Sequence, residues 1–435
     1  MEASFKPLYK YLLIFLLTVV VLASALVGTA SIPQERVHEK MLDSGVFMYE
    51  APLKYRIIKT VPTSYLDYYA DALLLNVAHY MGEGEPLEAV MWSHFNGYHD
   101  LYANQYFLEA VRDNPVPNQE YLRYWHGSAG VMRVLHLVLA LPEIYVFHAV
   151  VLSALLAVLL ARLAKHGLGA EAAALVLALV MVAAWVVPWC LEYTWAFLCM
   201  LLAAIPAVEL ARRGREAWLG PLFLVTGMVT VYLDFLTTET LSLLVPLLLV
   251  LRIRGRRGAG GQWALSAKCC ALWLVGYGGM WAAKWALASV VLGENVMPYV
   301  TGHVEERLYG GVGVSKARFM LGAVLRNGKD LMPFDYGIYG AVVLLAVIVL
   351  FVLLPVGLGR VRLRARADRG QVLLYLVLGL VPYLRYLVLH NHAWIHAGFT
   401  YRAQAATVLA LCFLLLELIE PVPNKKGGLR FGKSS

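Results

Sequence analysis

The run LYKYLLIFLLTVVVLASALVGT, Leu8–Thr29, decides the fold class. A helix that crosses the hydrocarbon core needs about 20 mainly apolar residues. This run meets that length, with Lys6 before it and Lys10 near its start. It is long for the apolar part of a secretory leader, so it reads as a retained anchor, although Leu22-Ala23-Ser24-Ala25 has the small residues of a cleavage site. Either reading places the chain that follows outside the cytoplasm.

Composition agrees. The chain has 435 residues, 60% hydrophobic and 15% charged, with mean hydropathy +0.64. A soluble domain carries about 25% charged residues. The 11 tryptophans and 25 tyrosines suit rings held at headgroup level. Nine further apolar runs follow: Ile144–Ala164, Ala170–Val187, Tyr193–Ala211, Trp218–Leu233, Thr237–Leu251, Trp263–Leu292, Gly337–Leu358, Val372–Leu389 and Thr400–Ile419. The expected fold is an all-α polytopic membrane protein with about ten transmembrane helices. It divides into an anchor (1–29), a long outer loop with short amphipathic surface helices (30–142), helices 2–7 (143–292), a second outer loop (293–336), helices 8–10 (337–420) and a basic tail (421–435).

The charges choose the orientation. Arg162 and Lys165, then Arg212, Arg213 and Arg215, then Arg252, Arg254, Arg256 and Arg257, then Arg360 to Arg369, then Lys425, Lys426 and Arg430 all fall on alternate connections. Basic loops stay in the cytoplasm, so both termini are expected there, in a cell membrane. The net charge of +8 is thereby assigned to loops on anionic lipid rather than to nucleic-acid binding. All five cysteines, Cys190, Cys199, Cys269, Cys270 and Cys412, lie in apolar segments with no C-x-x-C spacing, so neither a disulfide framework nor a metal motif is indicated.

Four outer groups could carry chemistry. Tyr65-Leu66-Asp67-Tyr68-Tyr69-Ala70-Asp71 opens the first loop. On a helix Asp67 and Asp71 share a face, at about 6 Å; capping and solvating a surface helix is their plainer reading. Turn signals at Gly82–Pro86 and Asn114–Asn118 divide the loop. Ser128–Leu141 reads as an interfacial helix with Arg133 and His136 on one side. The second group, His390-Asn391-His392-Ala393-Trp394-Ile395-His396 followed by Phe399-Thr400-Tyr401-Arg402, sits at a span boundary. His392 and His396 are four apart, a spacing that suits a metal, but no H-E-x-x-H accompanies them; an aromatic belt explains part of the group. Arg402 either snorkels or grips a phosphate with its planar fork. The third group is Val304–Arg318. Its Gly310–Gly313 lacks both phosphate-loop patterns and reads as a flexible loop, or as one that closes over a substrate. The fourth is charge at or within the spans: Glu192, Asp234, Glu239, Lys268 and Lys284. Asp234 and Glu239 bracket an outer turn within reach of water, and Lys284 either pairs with Glu192 or Asp234 or faces a cavity.

One anchor, a long acidic outer loop and then many spans resembles the GT-C superfamily of integral-membrane glycosyltransferases. The segments similar to its bacterial, polyprenyl-phosphate-sugar-dependent members are Leu66–Ala72, Tyr124-Trp125-His126-Gly127, Leu233-Asp234-Phe235-Leu236-Thr237-Thr238 and Asn391–His396 with Phe399–Arg402. No D-x-D and no W-W-D-Y-G occurs, so the oligosaccharyltransferase branch is not indicated. The resemblance implies transfer of a sugar from a polyprenyl-phosphate donor in the bilayer to an extracytoplasmic glycan or protein, with Asp67 or Asp71 as general base. It places His392, His396, Arg402, Trp125, His126, Asp234 and Lys284 at the substrate, with Mg or Mn as a conceivable cofactor and no dedicated metal ligands. A lipid-linked substrate transporter or flippase, or a non-catalytic envelope-assembly protein, are the rival classes.

The topology has a direct readout. Val116→Cys should react with a membrane-impermeant maleimide on intact cells, and Arg215→Cys only after permeabilisation. Labelling in the opposite order would invert the orientation.

Overall fold

Leu8–Thr29 lies within one unbroken helix, α1 (Glu2–Ala30), in the computed structural model. The structure describes residues 2–59, 61, 63–97, 102–256, 258, 260–309, 315–331, 342, 345–346, 350, 357–358, 361–364 and 367–421. Among these, six helices are long and apolar enough to cross a membrane: Leu8–Ala30, Leu141–Lys165, Leu191–Arg212, Glu216–Leu233, Arg369–Val388 and Ala397–Leu418.

Before the bundle come α2 (Gln34–Glu50), the antiparallel pair β1 (Lys54–Arg56) and β2 (Tyr65–Asp67), then α3 (Tyr68–Tyr80), α4 (Pro86–Trp92), α5 (Ala103–Asp113) and α6 (Gly127–Leu135). The bundle holds α7 (Leu141–Lys165), α8 (Gly169–Met181), α9 (Leu191–Arg212), α10 (Leu219–Leu233), α11 (Leu241–Arg256) and α12 (Gln262–Leu292). After α13 (Met297–Tyr309) and α14 (Lys316–Asp330) it closes with α15 (Arg369–Val388), the short α16 (His390–Ile395) and α17 (Ala397–Thr400), and α18 (Ala405–Leu418).

Several sequence expectations are refined. The expected span Ala170–Val187 is broken: α8 stops at Met181, Ala183 turns left-handed at φ 50°, and Ala184–Trp189 continues as a 3-10 helix. The all-helical expectation gives way at two short ladders, β1–β2 and a second formed by β3 (Val361–Leu363) and β4 (Ile419–Pro421). Most of Gly337–Leu358, the glycines Gly310–Gly313 and the tail beyond Pro421 lie outside the described residues.

The core is the bundle itself. Every residue of α11 from Leu241 to Arg254 is buried, so this helix meets protein on all sides. Gly276 of α12 sits against the Leu224 carbonyl of α10, where a Cβ would collide with main chain. Apolar side chains stay exposed on the outer faces of the long helices, such as Val150 on α7 and Leu380 on α15.

Charge is sorted to the two ends of the bundle. At the end holding the basic loops, Arg252 pairs with Glu171 at 2.9 Å and Glu417 at 2.8 Å, and Arg364 reaches Glu417 at 2.6 Å. Arg254 pairs with Glu216 there, and Glu209 lies among Arg162, His166 and Arg213.

At the other end the 30–142 segment is fastened by a cation. The last carbonyls of a helix have no partner within it. The buried Arg133 of α6 collects such groups: Nε donates to Thr29 O at 3.1 Å, Nη2 to Ile32 O at 2.5 Å, and Nη1 to Ala78 O at 2.9 Å and Gln34 Oε1 at 3.0 Å. One guanidinium thus closes the ends of α1 and α3. Sequence had placed Arg133 and His136 on the polar side of an interfacial helix. Both are instead fully buried, because main-chain carbonyls inside the fold take their donors: Arg133 serves those named above, and His136 Nδ1–H donates to Met132 O at 2.8 Å, leaving Nε2 to accept from Ser44 Oγ at 3.0 Å.

Replacing Arg133 with Met should therefore cost at least about 3 kcal/mol, since it orphans several buried carbonyls at once. Thermal unfolding in detergent measures this, and Arg133→Lys should recover part of the loss.

Candidate active site

Asp67 ends β2 and stands one residue before α3, as its N-cap. Its Oδ1 accepts from Tyr69 N at 3.2 Å and its Oδ2 from the Tyr65 hydroxyl at 3.1 Å. Lys54 lies directly opposite in the β ladder. Gly398 lets the Tyr65 ring pack against α17, where a Cβ would meet the ring at 2.8 Å. Burial raises the Asp67 pKa above the ordinary carboxylate value, against the pull of Lys54 and of the two hydrogen bonds.

Asp71 has a different environment. The shared helix face expected for the two aspartates does not exist, because α3 begins only at Tyr68 and Asp67 precedes it. Asp71 is fully buried against the start of α9. Its Oδ2 accepts from the Tyr145 hydroxyl at 2.7 Å and from Leu191 N at 2.9 Å. Its Oδ1 accepts from Glu192 N at 3.1 Å and faces Cys190 Sγ at 3.4 Å. A carboxylate here satisfies the open N–H groups of a helix N-terminus. Burial pushes its pKa up to about 7 in spite of these donors.

Asp67, and not Asp71, lines an open-mouthed cavity of ≈ 100 Å³, smaller than the roughly 300–1,000 Å³ usual for sites that enclose a whole small molecule. Its polar wall is Asp67, Glu192, His126, His392 and His396, and its rings are Tyr69, Tyr121, Phe235 and Phe399. His126 caps α6 in the left-handed conformation, φ 56°. Its Nε2–H donates to the Tyr121 carbonyl at 2.9 Å, which leaves Nδ1 as an acceptor. Burial lowers its pKa to about 3, so the ring is neutral. His392 and His396 place their ring centres 4.7 Å apart and both pack on Phe399. Glu192 Oε2 is buried without a protein hydrogen-bond partner.

The remaining sequence candidates lie elsewhere. Arg402 is buried behind the cavity over the Tyr193 ring, 4.1 Å from its centre, and donates to Gly398 O at 3.0 Å. Trp125 is committed to the bundle, its Nε1 donating to Met280 O at 2.8 Å. Asp234 is buried and out of the cavity wall; its own turn occupies it, with Thr237 N at 2.9 Å and Thr237 Oγ1 at 2.5 Å. Glu239 is buried on Arg385 at 2.8 Å. These two carboxylates were expected to meet water, but neighbouring donors enclose them. Lys284 pairs with neither Glu192 nor Asp234; its Nζ donates to Val90 O at 2.6 Å and Met91 O at 3.1 Å at the end of α4. Among the described residues no three His, Cys, Asp or Glu side chains converge closely enough to hold a metal ion.

Sequence reasoning noted Glu192 as a charge at a span end without placing it in the site. The signal was present: an ionisable residue just past Pro188-Trp189, where a span begins. Tyr121 carried no signal, since only the folded loop brings it to the cavity.

Asp71 generates a stability prediction. Between about pH 4 and pH 7 the folded chain keeps a proton on Asp71 that the unfolded chain has released. Its contribution to stability therefore falls as pH rises through that window. Asp71→Asn should remove this slope and cost about 1–3 kcal/mol, because an amide NH2 then faces main-chain donors. Unfolding in detergent from pH 4 to pH 8 tests both; an unaltered slope would contradict the assignment.

Compared with family models, with curated proteins and with solved structures, the chain matches none.

Proposed function

We propose that the chain is a membrane glycosyltransferase that uses a polyprenyl-phosphate sugar, with Asp67 as general base. The observation that carries this reading is the chemistry of the cavity wall. Asp67, Glu192 Oε2 and His126 Nδ1 offer hydrogen-bond acceptors between aromatic rings, and no Lys or Arg stands among the lining residues described. A sugar presents many hydroxyl donors and apolar C–H faces, which such a wall complements. The cavity sits at the end of a helix bundle, so a lipid-linked donor can keep its tail in the bilayer while its head enters.

In the reaction proposed, the acceptor hydroxyl oxygen attacks the anomeric carbon as Asp67 takes its proton. The bond from that carbon to the lipid phosphate breaks, and the phosphate leaves as an anion, inverting the configuration. An aspartate whose pKa is raised by burial is a better base near neutral pH than an exposed one. The acceptor is a hydroxyl of an extracytoplasmic glycan or protein. Asp71 positions α9, and through it Glu192, without touching substrate.

The interior ions favour surface chemistry over a translocation path. Lys284 is held by carbonyls, Arg385 by Glu239 and Arg252 by Glu171, so each is tied down by protein.

Asp67→Asn should lower transfer by about 10²–10⁴-fold, the usual share of a general base, with expression and topology unchanged. Radiolabelled sugar transfer from a polyprenyl-phosphate donor in membranes measures it. Wild-type activity in Asp67→Asn would sink the base assignment.

A further inference from the structure

Arg123 lies in the loop that leads into α6 and is set apart from the other interior arginines. Arg133 donates to carbonyls, Arg385 and Arg252 to carboxylates, and Arg402 to carbonyls, although Arg385 Nη1 and Arg402 Nε are also buried without a partner. Among the described residues Arg123 has neither kind of acceptor. Its guanidinium lies 4.4 Å from the ring centre of Tyr121 and 5.2 Å from that of Tyr124, and it interacts with the phenols of Tyr124 and Tyr299. Its Nε is buried with no hydrogen-bond partner. Ring faces compensate a cation only in part, and an unsatisfied buried donor is costly.

Two further observations indicate what would complete the group. Tyr121 and His126, whose ring centres are 4.8 Å apart, both line the cavity, so Arg123 stands directly behind its wall. The residues around it form an aromatic girdle: Tyr124 packs on Trp281 at 5.1 Å, Trp281 on Trp285 at 5.7 Å, and Trp285 Nε1 donates to the Arg123 carbonyl at 3.2 Å. Tryptophans and tyrosines gather at headgroup depth, which is where lipid phosphates lie.

We propose that Arg123, with the phenols of Tyr124 and Tyr299, is the binding site for the phosphate of a lipid-linked ligand. The cavity offers acceptors and this group offers the Arg123 guanidinium as donor, with the Tyr299 hydroxyl, which donates to Glu120 O at 2.9 Å, holding its oxygen toward that cation. One ligand satisfies both when a hydroxyl-bearing head is joined to an anionic linkage, as in a sugar on a lipid phosphate. The assignment of that ligand rests on the glycosyltransferase reading, whereas the anion site stands on its own geometry. A guanidinium matches phosphate oxygens in a bidentate way that an ammonium does not.

The test uses the full chain in phosphatidylcholine nanodiscs, titrated with a short polyprenyl phosphate, the matching polyprenol, phosphatidylglycerol and inorganic phosphate. Tryptophan fluorescence and melting temperature are followed. Polyprenyl phosphate should bind more tightly than polyprenol, and Arg123→Gln should weaken it at least about tenfold while leaving polyprenol binding unchanged. Arg123→Lys should fall between. Tyr299→Phe should weaken binding severalfold, and keeps the test available if Arg123→Gln does not fold. Comparable binding of phosphatidylglycerol or inorganic phosphate, lost in the same variants, would assign the site to lipid headgroups or to phosphate in general and still support the anion site. Equal binding of polyprenyl phosphate by wild type and Arg123→Gln, both folded, overturns it. Binding of polyprenyl phosphate that Arg123→Gln weakens, in a wild type that shows no sugar transfer, upholds the anion site against the transferase reading. Intact transfer with unchanged KM in Arg123→Gln does the reverse.

Discussion

The cavity depends on one carboxylate that does not line it. Asp71 receives donors from Tyr145 on α7 and from the first turn of α9, while its own helix belongs to the outer segment. Three elements far apart in sequence therefore share one buried carboxyl group. Asp67 is four residues earlier on the same segment, and Glu192 is itself one of the donors' residues. Moving Asp71 would move both carboxylates of the cavity relative to each other. The helix N-terminus gains the negative charge it favours, and the carboxylate gains the donors that make its burial tolerable.

Much of the architecture was legible because lipid and water impose simple demands. Leu8–Thr29 and Ile144–Ala164 read as spans because they are long and almost wholly apolar, and both fall within long helices. Thr237–Leu251 was harder: α11 is buried by protein all round, so its sequence reflects packing and not bilayer thickness. The break at Ala183 was invisible, since a single left-handed alanine has no compositional mark. The site was legible in its members and obscure in its grouping. Asp67, His126, His392 and His396 were all named from sequence and share one cavity. Asp67 and Asp71 could not be told apart, because their separate roles hinge on where α3 begins. Arg133 and Lys284 were misjudged for a common reason: their partners are main-chain carbonyls, and sequence shows no acceptor of that kind.

Polar groups in this molecule are sorted by sign and by role. Arginine–glutamate clusters close the basic end of the bundle. At the opposite end Arg133 and Lys284 are spent on main chain and Arg385 on Glu239, while acceptors in the cavity and Arg123 Nε remain open. Such a surplus is unusual inside a fold, where polar groups are nearly always satisfied. Part of it lies beside the aromatic cluster of Tyr124, Trp281 and Trp285.

The placement of Arg402 has a consequence in time. Arg402 reaches the Thr63 carbonyl across 339 residues of chain, and His392 and His396 share a cavity with Asp67 over nearly the same span. A ribosome adds about 5–20 residues per second, so the first half of the cavity waits on the order of 17–70 s for the second. During that interval the aspartates, the tyrosines and the open end of α3 stand without their covering helices. Biogenesis of this protein thus includes a prolonged stage in which its most polar interior is bare, and the last helices to insert are the ones that close it.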